Sequence, residues 1–183
     1  HTDMEEYAVA KRAIFTHMKP HGVFVANRVS DDYVRRFAAE AENEGYTVRT
    51  FSAHDGSTPH GGCVQNGNFT IDGKELFPLS EIRVPGLHNV ENFMAAALAV
   101  WDYVTPDAIL KTARTFTGVA HRLELVAEKD GVRFYNSSID SSPSRTEAAL
   151  SCFGREYDGR INLILGGYDK HIPFDSLAAP VCD

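Results

Sequence analysis

The stretch "GVFVANRVSDDYVRRFAAEAENEGYTVRTFS", residues 22–52, decides how this chain folds. A short apolar run at 22–27 is followed by a polar turn, an amphipathic segment at 31–44 and a second short run at 47–52. Short apolar runs on either side of a helical period predict a strand–helix–strand unit. Such a unit normally places its two strands parallel in one sheet, so we predict an α/β fold.

The segment before this unit, residues 3–18, is predicted to be a helix. Asp3 is a candidate N-cap, and acidic residues follow it in the first turn, where the helix dipole favours anions. The apolar residues that recur at helical spacing along this segment are Tyr7, Ala10, Ile14 and Met18.

After the unit, the pattern predicts a small antiparallel β excursion over residues 63–84. Asn66-Gly67 and Asp72-Gly73 are strong signals for two-residue hairpin turns. An apolar helix is predicted over 89–104 and another over 105–116, with Thr105 as its N-cap and Pro106 as its first residue. The first domain is therefore predicted to span residues 1–117, with a mostly parallel sheet.

A second domain is predicted over residues 118–183. The pattern indicates strands at 122–128 and 132–136, a serine-rich loop and a helix near 143–152. The run at 161–165 predicts a buried strand that stops at Gly166-Gly167.

Composition excludes several classes of protein. The 183 residues carry a formal net charge of −7 without a basic cluster, which disfavours non-specific nucleic-acid binding. No apolar run approaches the ~20 residues of a membrane span. Because the three cysteines (Cys63, Cys152, Cys182) are widely spaced, we predict reduced thiols and a cytoplasmic protein.

Two motifs lie at the predicted end of a strand or start of a helix and are candidates for ligand binding. In "LILGGYDKHIPF", 163–174, Lys170 follows a predicted strand end, where ligands of parallel sheets often bind; the alternative is a solvated lysine. In "GLHNVEN", 86–92, the polar residues either cap the following helix or bind a base or phosphate. These residues are His88, Asn89 and Asn92.

The motif "HRLE", 121–124, follows the predicted domain boundary. Arg122 is a candidate to reach a phosphate across that boundary, because a guanidinium makes two-point contacts with anions. The alternative is a surface ion pair with Glu124 or Glu128. For His121 the alternative is a structural histidine.

Two further segments carry candidate residues. Lys11 lies in the apolar helix segment "AVAKRAIF", 8–15, where a buried amine would react with carbon dioxide to give a carbamate; the alternative is a lysine that reaches solvent. The loop "SSIDSSPSRT", 137–146, approaches a helix N-terminus and favours either an anion or its own capping.

The order of these motifs along the chain resembles the Mur ligase family, over about residues 3–177. The most specific parts are "FTGVAHRLELV", 116–126, and "LILGGYDKHIPF". The resemblance implies a partial Mur ligase central domain at 1–117, followed by part of a Rossmann-like C-terminal ligase domain at 118–183.

Members of this family join an amino acid to a nucleotide-linked carboxylate. ATP first converts the carboxylate to an acyl phosphate, which the amine then attacks. The match is best for members that add D-glutamate to a UDP-linked muramoyl substrate in peptidoglycan synthesis. The resemblance thus implies ATP and Mg²⁺ as cofactors, these two substrates, and a monomer that binds neither nucleic acid nor membrane.

The resemblance also implies residue roles. Catalytic roles fall to Lys11, which as a carbamate holds Mg²⁺, and to His121 and Arg122. The residues implied to contact ATP or its nucleotide are His88, Asn89, Asn92, Arg122, Ser137 and Asp140. D-Glutamate is expected to contact Ser141 and Lys170.

The sequence departs from the family in two respects. It has no glycine-rich phosphate loop of the form G-x-x-G-K-[ST]. That loop and the uridine-nucleotide domain are expected before His1, so we expect residues 1–183 alone to lack ligase activity. Ser137 stands where members commonly have Asp, and Asp140 is the candidate substitute.

Two other classes stay open at this point. One is a non-catalytic module that binds a nucleotide or a partner on the same scaffold. The other is a different amide ligase of the superfamily, such as folylpolyglutamate synthase.

Overall fold

The computed structural model of this chain describes residues 3–54, 56, 58, 60–157, 160–168 and 171–182, with the backbone alone at 154–157 and 182. The chain divides into two compact units. The first holds His1–Glu81 and Val90–Arg114, and the second holds Ile82–Asn89 and Thr115–Asp183. The assignment of 1–117 and 118–183 to two family domains stays a prediction.

The strand–helix–strand unit is confirmed in the first compact unit. After helix α1 (Met4–Thr16) come β1 (Val23–Asn27), α2 (Asp32–Asn43) and β2 (Thr47–Ser52). The two strands are parallel, with Val23 beside Thr47 and Asn27 beside Phe51.

Local capping explains where the two helices begin. The Asp3 carboxylate accepts a hydrogen bond from the backbone N–H of Glu6 at 2.8 Å, and Asp31 accepts one from Val34 at 3.0 Å. Each carboxylate satisfies an amide that has no partner within its helix. The predicted Asp3 cap is therefore confirmed.

One face of the sheet is covered by α1 and α2 through an aromatic cluster. The Phe15 ring lies 5.3 Å from that of Phe24 and 6.1 Å from that of Phe37. Phe15 and Ala8 are the buried residues of α1, whereas Ile14 is 69% exposed. The stripe read from the sequence was thus only partly right: Met18 packs against this cluster, but the buried residues lie one position after Tyr7 and Ile14, because the contact with α2 and β1 decides the face.

The antiparallel segment is confirmed but is part of the same sheet. It consists of β3 (Gly61–Gln65), β4 (Asn68–Ile71) and β5 (Lys74–Pro78), joined by turns in which Asn66, Gly67, Asp72 and Gly73 all have positive φ. Because β3 pairs in parallel with β2, the five strands form one sheet in the order β1-β2-β3-β4-β5. The sheet is mixed rather than mostly parallel.

Two helices complete the first unit. They are α3 (Leu87–Val100), whose first residues belong to the second unit, and α4 (Pro106–Thr115). The Thr105 hydroxyl accepts from the Ala108 N–H at 3.3 Å, which confirms the predicted cap. Met94 and Leu98 of α3 are fully buried. Arg49 of β2 donates to the Leu98 carbonyl at 3.0 Å, near the end of α3.

An ion pair in the first unit makes its stability depend on pH. Arg114 Nε donates to Glu81 Oε2 at 2.6 Å, and Arg114 Nη2 donates to Oε1 at 3.0 Å. These hydrogen bonds hold the pKa of Glu81 below its ordinary value of 4.5. A lowered folded-state pKa gives stability that is present above the unfolded-state pKa and is lost as pH falls through the folded-state value.

We therefore expect Glu81→Gln to be less stable than the original chain near neutral pH, with the difference closing below pH 4.5. The midpoint of thermal unfolding, measured between about pH 6 and about pH 3, checks this. Glu42→Gln, at an exposed carboxylate of α2, is the matched control and should leave the acid dependence in place. Parallel curves for Glu81→Gln and the original chain would contradict the expectation.

After residue 115, the described part of the second unit contains a hairpin and two α-helices. The strands β6 (Glu124–Lys129) and β7 (Val132–Asn136) are antiparallel around an Asp130-Gly131 turn, followed by α5 (Pro143–Tyr157) and α6 (Ala178–Cys182). The Tyr135 ring of β7 lies 4.4 Å from the Phe153 ring of α5. This aromatic contact holds the hairpin against α5.

The prediction of a buried strand at 161–165 was wrong. Residues 160–168 form no strand, and Ile164 is 98% exposed. An apolar run becomes a buried strand only when other strands flank it, and the described part of this unit pairs none with it. A Rossmann-like C-terminal domain stays a prediction. No helix among the described residues has the length and apolar character needed to cross a membrane.

Candidate functional site

The backbone on both sides of Arg122 is strained. His121 has φ 66° and Leu123 has φ 45°, so a left-handed residue stands on each side of the arginine. The Arg122 N–H closes a turn onto the Val119 carbonyl at 3.1 Å. Non-glycine residues in this region cost of the order of 1–3 kcal/mol each and persist only where surrounding contacts hold them. Such strain is concentrated at functional sites.

The contacts that hold the turn come largely from residues 136–140. The Leu123 N–H donates to Ser137 Oγ at 3.1 Å, and the Ile139 N–H donates to the His121 carbonyl at 3.2 Å. The Glu124 carboxylate accepts from the His121 N–H at 2.7 Å. The 121–123 turn and the loop after β7 are therefore tied together by main-chain and side-chain hydrogen bonds.

The side chain of Arg122 keeps donor capacity. It is half-buried, and its Nε is buried without a hydrogen-bond partner in the described part of the chain. The carboxylates considered as its ion-pair partners have other contacts, because Glu124 accepts from His121 and Glu128 pairs with Arg133 at 3.2 Å. An orphaned guanidinium donor is costly unless an acceptor reaches it. The surface ion-pair alternative is therefore wrong.

Hydrogen bonding assigns the tautomer of His121. The Asn136 side-chain oxygen accepts from the Ser138 N–H at 3.0 Å, so the Asn136 amide nitrogen faces His121 Nδ1, at 2.9 Å. An amide nitrogen only donates, so Nδ1 must be the acceptor. The neutral imidazole therefore carries its proton on Nε2.

Ser137 and Asp140, two predicted nucleotide contacts, form hydrogen bonds with each other. Ser137 Oγ donates to Asp140 Oδ2 at 2.6 Å, and Arg145 Nη1 lies 3.4 Å from Asp140 Oδ1. The Asp140 side chain is only 10% exposed. Ser141, predicted to contact D-glutamate, is exposed just before α5. Ligand contacts by these three residues stay predictions.

Of the predicted residues at the start of α3, His88 and Asn89 belong to the second unit and Asn92 to the first. Asn89 Nδ2 donates to the Pro85 carbonyl at 2.6 Å, so the side-chain amide nitrogen closes the loop before α3. His88 Nδ1 lies 3.9 Å from the Cys152 thiol of α5. Asn92 lies one turn after Asn89 on the same helix face and is exposed.

Cys152 makes contacts that the sequence did not reveal. Its thiol donates to the Ala148 carbonyl at 3.0 Å, and burial raises the pKa of this thiol. A Cβ at Gly86, which has φ 92°, would overlap the Cys152 sulfur. No spacing rule links residues 86–88 to residue 152, so only the fold brings them together.

The two predicted lysines differ in outcome. The Lys11 ammonium is exposed and lies 5.3 Å from the centre of the Tyr7 ring, which fits the alternative of a lysine that reaches solvent and not that of a buried amine. Among the described residues, no group of three or more His, Cys, Asp or Glu side chains could hold a metal ion. Lys170 lies outside the described residues, so its predicted role is not placed.

Comparison with known families settles the classification. The family model described as the Mur ligase middle domain matches residues 1–100. This chain belongs to the Mur ligase family. The matched range contains Lys11 and the "GLHNVEN" motif, so the resemblance read from those residues is confirmed.

Curated relatives extend the Mur ligase match beyond the middle domain. The chain is 42% identical, over 97% of its length, to a UDP-N-acetylmuramoylalanine–D-glutamate ligase of Clostridium beijerinckii. It is 43% identical, over 100% of its length, to the protein of that name from Acetivibrio thermocellus. The chain spans 37% and 38% of the length of these two relatives. The turn at Arg122 therefore lies within the similar region.

A solved structure shows the same Mur ligase fold. The crystal structure of MurF from Acinetobacter baumannii superposes with a TM-score of 0.64 at 22% identity, over 81% of this chain and 33% of that one. At this identity the likeness concerns the fold alone.

Proposed function

We propose that this chain is part of an ATP-dependent ligase that adds D-glutamate to UDP-N-acetylmuramoylalanine, in the synthesis of peptidoglycan precursors. The observation that carries the proposal is 42–43% identity to ligases of that name across 97–100% of the chain. The protein is proposed to be monomeric and cytoplasmic and to bind neither nucleic acid nor membrane.

Arg122 is the proposed contact to the phosphates of ATP, which supplies the phosphoryl group that activates the substrate carboxylate as an acyl phosphate. The partnerless Nε and the strained turn support this role. Phosphoryl transfer depends mainly on positioning and charge neutralisation, and a guanidinium provides both.

His121 is proposed to act beside Arg122 with a proton on Nε2, because Asn136 occupies Nδ1. His88, Asn89 and Asn92 are proposed nucleotide contacts, and Ser141 and Lys170 are proposed D-glutamate contacts. Of the residues at the start of α3, Asn89 already uses its side-chain amide nitrogen to donate to the Pro85 carbonyl.

The proposed Mg²⁺, which proteins usually hold with one or two carboxylates and substrate phosphates, has no site located on the described residues alone. They offer no group of three acidic, histidine or cysteine ligands, and the Lys11 ammonium lies over an aromatic ring. No step is therefore assigned to Mg²⁺. The carbamate of Lys11 as its ligand stays a prediction from the family resemblance.

The amino-acid specificity of the full-length gene product tests the proposed function. With UDP-N-acetylmuramoylalanine and ATP, we expect product from D-glutamate at a rate at least about 100-fold above those with L-glutamate, L-lysine or diaminopimelate. Formation of ADP together with the ligated product, followed by chromatography, is the measurement.

Other results of this assay would indicate a different function. Preference for another amino acid would assign the chain to a different amide ligase of the superfamily. Binding of ATP with no ligation of any of the four would favour the non-catalytic module. The expected inactivity of residues 1–183 alone stays a prediction, and ligation by that chain would refute it.

A further inference from the structure

The loop after β7 contains a relay of hydrogen bonds that ends at the turn around Arg122. Ser137 Oγ accepts from the Leu123 N–H at 3.1 Å and donates to Asp140 Oδ2 at 2.6 Å. A hydroxyl can accept and donate at the same time, whereas alanine does neither and a carboxylate at this position would have no proton to donate. The serine therefore makes both contacts of the relay.

The carboxylate at the other end of the relay is held from several sides. The Asp140 side chain is 10% exposed, its Oδ1 faces Arg145 at 3.4 Å, and its own N–H donates to the Ser137 carbonyl at 2.9 Å. Both carboxylate oxygens thus have partners within the chain. A nearly buried carboxylate with two internal partners is better suited to fixing a loop than to meeting a ligand.

Leu123, whose N–H donates to Ser137, has a backbone conformation that needs support from its contacts. Leu123 has φ 45° and is only 6% exposed, so its side chain is packed while its backbone is left-handed. If the Leu123 amide lost its acceptor, the strained conformation would lose one of the contacts that select it. Arg122 directly precedes Leu123, so its direction depends on this conformation.

We propose that Ser137 and Asp140 are positioning residues for Arg122: they hold Leu123 in its left-handed conformation and so aim the guanidinium, rather than contacting the nucleotide themselves. This inference rests on the proposed function, in which Arg122 contacts ATP. It differs from the prediction of nucleotide contacts made for both residues from the sequence.

A double-mutant cycle in the full-length gene product distinguishes positioning of Arg122 from direct contact with the nucleotide. We expect Ser137→Ala to lower kcat/KM for ATP about 10- to 100-fold, because small misplacements of a reacting group are costly. In the double variant, Ser137→Ala should lower kcat/KM for ATP by less than about threefold below the value for Arg122→Ala alone. Ser137→Thr, which keeps the hydroxyl, should recover most of the activity, and Asp140→Asn should lose less than Asp140→Ala.

Hydrogen exchange at the Leu123 amide is the readout that does not need turnover. Ser137→Ala should raise its exchange rate about 10-fold or more, since the amide loses its acceptor. Ser138→Ala is the matched control, as an exposed serine next to the relay whose backbone N–H makes the contact to Asn136. It should change neither the exchange rate nor the activity.

The possible results distinguish this inference from the proposed function. Losses that multiply in the cycle would show that Ser137 contacts ATP independently, and unchanged Leu123 exchange in Ser137→Ala would show that the relay does not hold the turn; either overturns the inference. Ligation of an amino acid other than D-glutamate, with the coupled cycle intact, would overturn only the proposed function. Absence of ATP binding by the original protein would overturn both.

Discussion

Replacing Gly61 with alanine is expected to unfold the first unit or bring it close to unfolding. Gly61 begins β3 with φ 130°, and a Cβ there would overlap the Thr50 carbonyl oxygen and lie 2.9–3.0 Å from the Thr50 carbonyl carbon and nitrogen. Thr50 is the neighbour of Gly61 in the parallel pairing of β2 and β3. The obstacle is therefore backbone, which cannot move without breaking that pairing.

The surroundings of Gly61 give it little freedom to adapt. Its N–H donates to the Asp72 carboxylate at 2.7 Å, and its carbonyl accepts from the Asp72 N–H at 2.9 Å. We expect Gly61→Ala to lower the free energy of unfolding by roughly 4 kcal/mol or more, from the combination of overlap and a forbidden φ. That is a large part of the about 5–15 kcal/mol that stabilises a typical domain.

Gly62→Ala is the matched control for this prediction. The nearest atoms to a Cβ at Gly62 would be side-chain atoms of Leu98, Phe69 and Met94, at 3.3–3.5 Å, rather than backbone. Because these three side chains are fully buried, we expect overpacking to cost about 1–3 kcal/mol, less than at Gly61. Urea unfolding followed by far-UV circular dichroism measures both variants. Equal midpoints for the two would show that the parallel pairing of β2 and β3 does not limit residue 61.

The pattern of residues 22–52 predicted local structure well because its information is local. Strand and helix periods, the Asp3 and Thr105 caps and the Asn-Gly and Asp-Gly turns each depend on a few neighbouring residues. Over residues 3–136, the predicted elements, caps and turns appear where the sequence placed them, within a few residues at the ends of elements. Helix α3, for instance, begins at Leu87 and ends at Val100 rather than spanning 89–104.

Features that depend on distant partners were not available from the sequence. The parallel pairing of Thr50 with Gly61 converts an antiparallel excursion into the continuation of one sheet. The buried face of α1 is decided by the rings of Phe24 and Phe37, not by the apolar spacing within α1. The run at 161–165 has the apolar character of a strand without a described strand beside it.

The candidate site shows the same difference between what neighbouring residues determine and what distant partners determine. Residue types pointed to His121 and Arg122, and the family resemblance pointed to Ser137 and Asp140, but the connections among them did not follow from spacing. The relay from Asp140 through Ser137 to Leu123, and the contact of Asn136 with His121, join residues 14 or 15 positions apart on opposite sides of a hairpin. Once the hairpin is known to pair Glu124 with Asn136, these contacts become predictable.

Arg122→Ala in the full-length gene product is expected to lower kcat/KM for ATP about 100- to 1000-fold, since a charge-stabilising donor at a reacting centre contributes on that scale. Arg122→Lys should recover only part of this loss. Lysine keeps the charge but presents it as a point on a flexible stem, whereas the guanidinium donates from a rigid plane to two oxygens.

The fold should be little affected by either change, and this makes the kinetic result interpretable. The guanidinium Nε has no partner in the described part of the chain, so removing it breaks no recorded hydrogen bond at that atom. The main-chain contact from Arg122 to Val119 survives any side-chain replacement except proline. The thermal midpoint should therefore move by only a few degrees, as for a half-buried side chain.

Arg133→Ala is the matched control, because Arg133 lies on β7 of the same unit and pairs with Glu128 away from the strained turn. It should leave kcat/KM for ATP within about threefold of the original value, as expected for an exposed ion pair. If Arg122→Ala also stayed within threefold while Leu123 kept its left-handed conformation, the strain at residues 121 and 123 would serve some purpose other than aiming Arg122. Arg122 would then lose its assigned contact with ATP, even though the family membership, which rests on the match over residues 1–100, would stand.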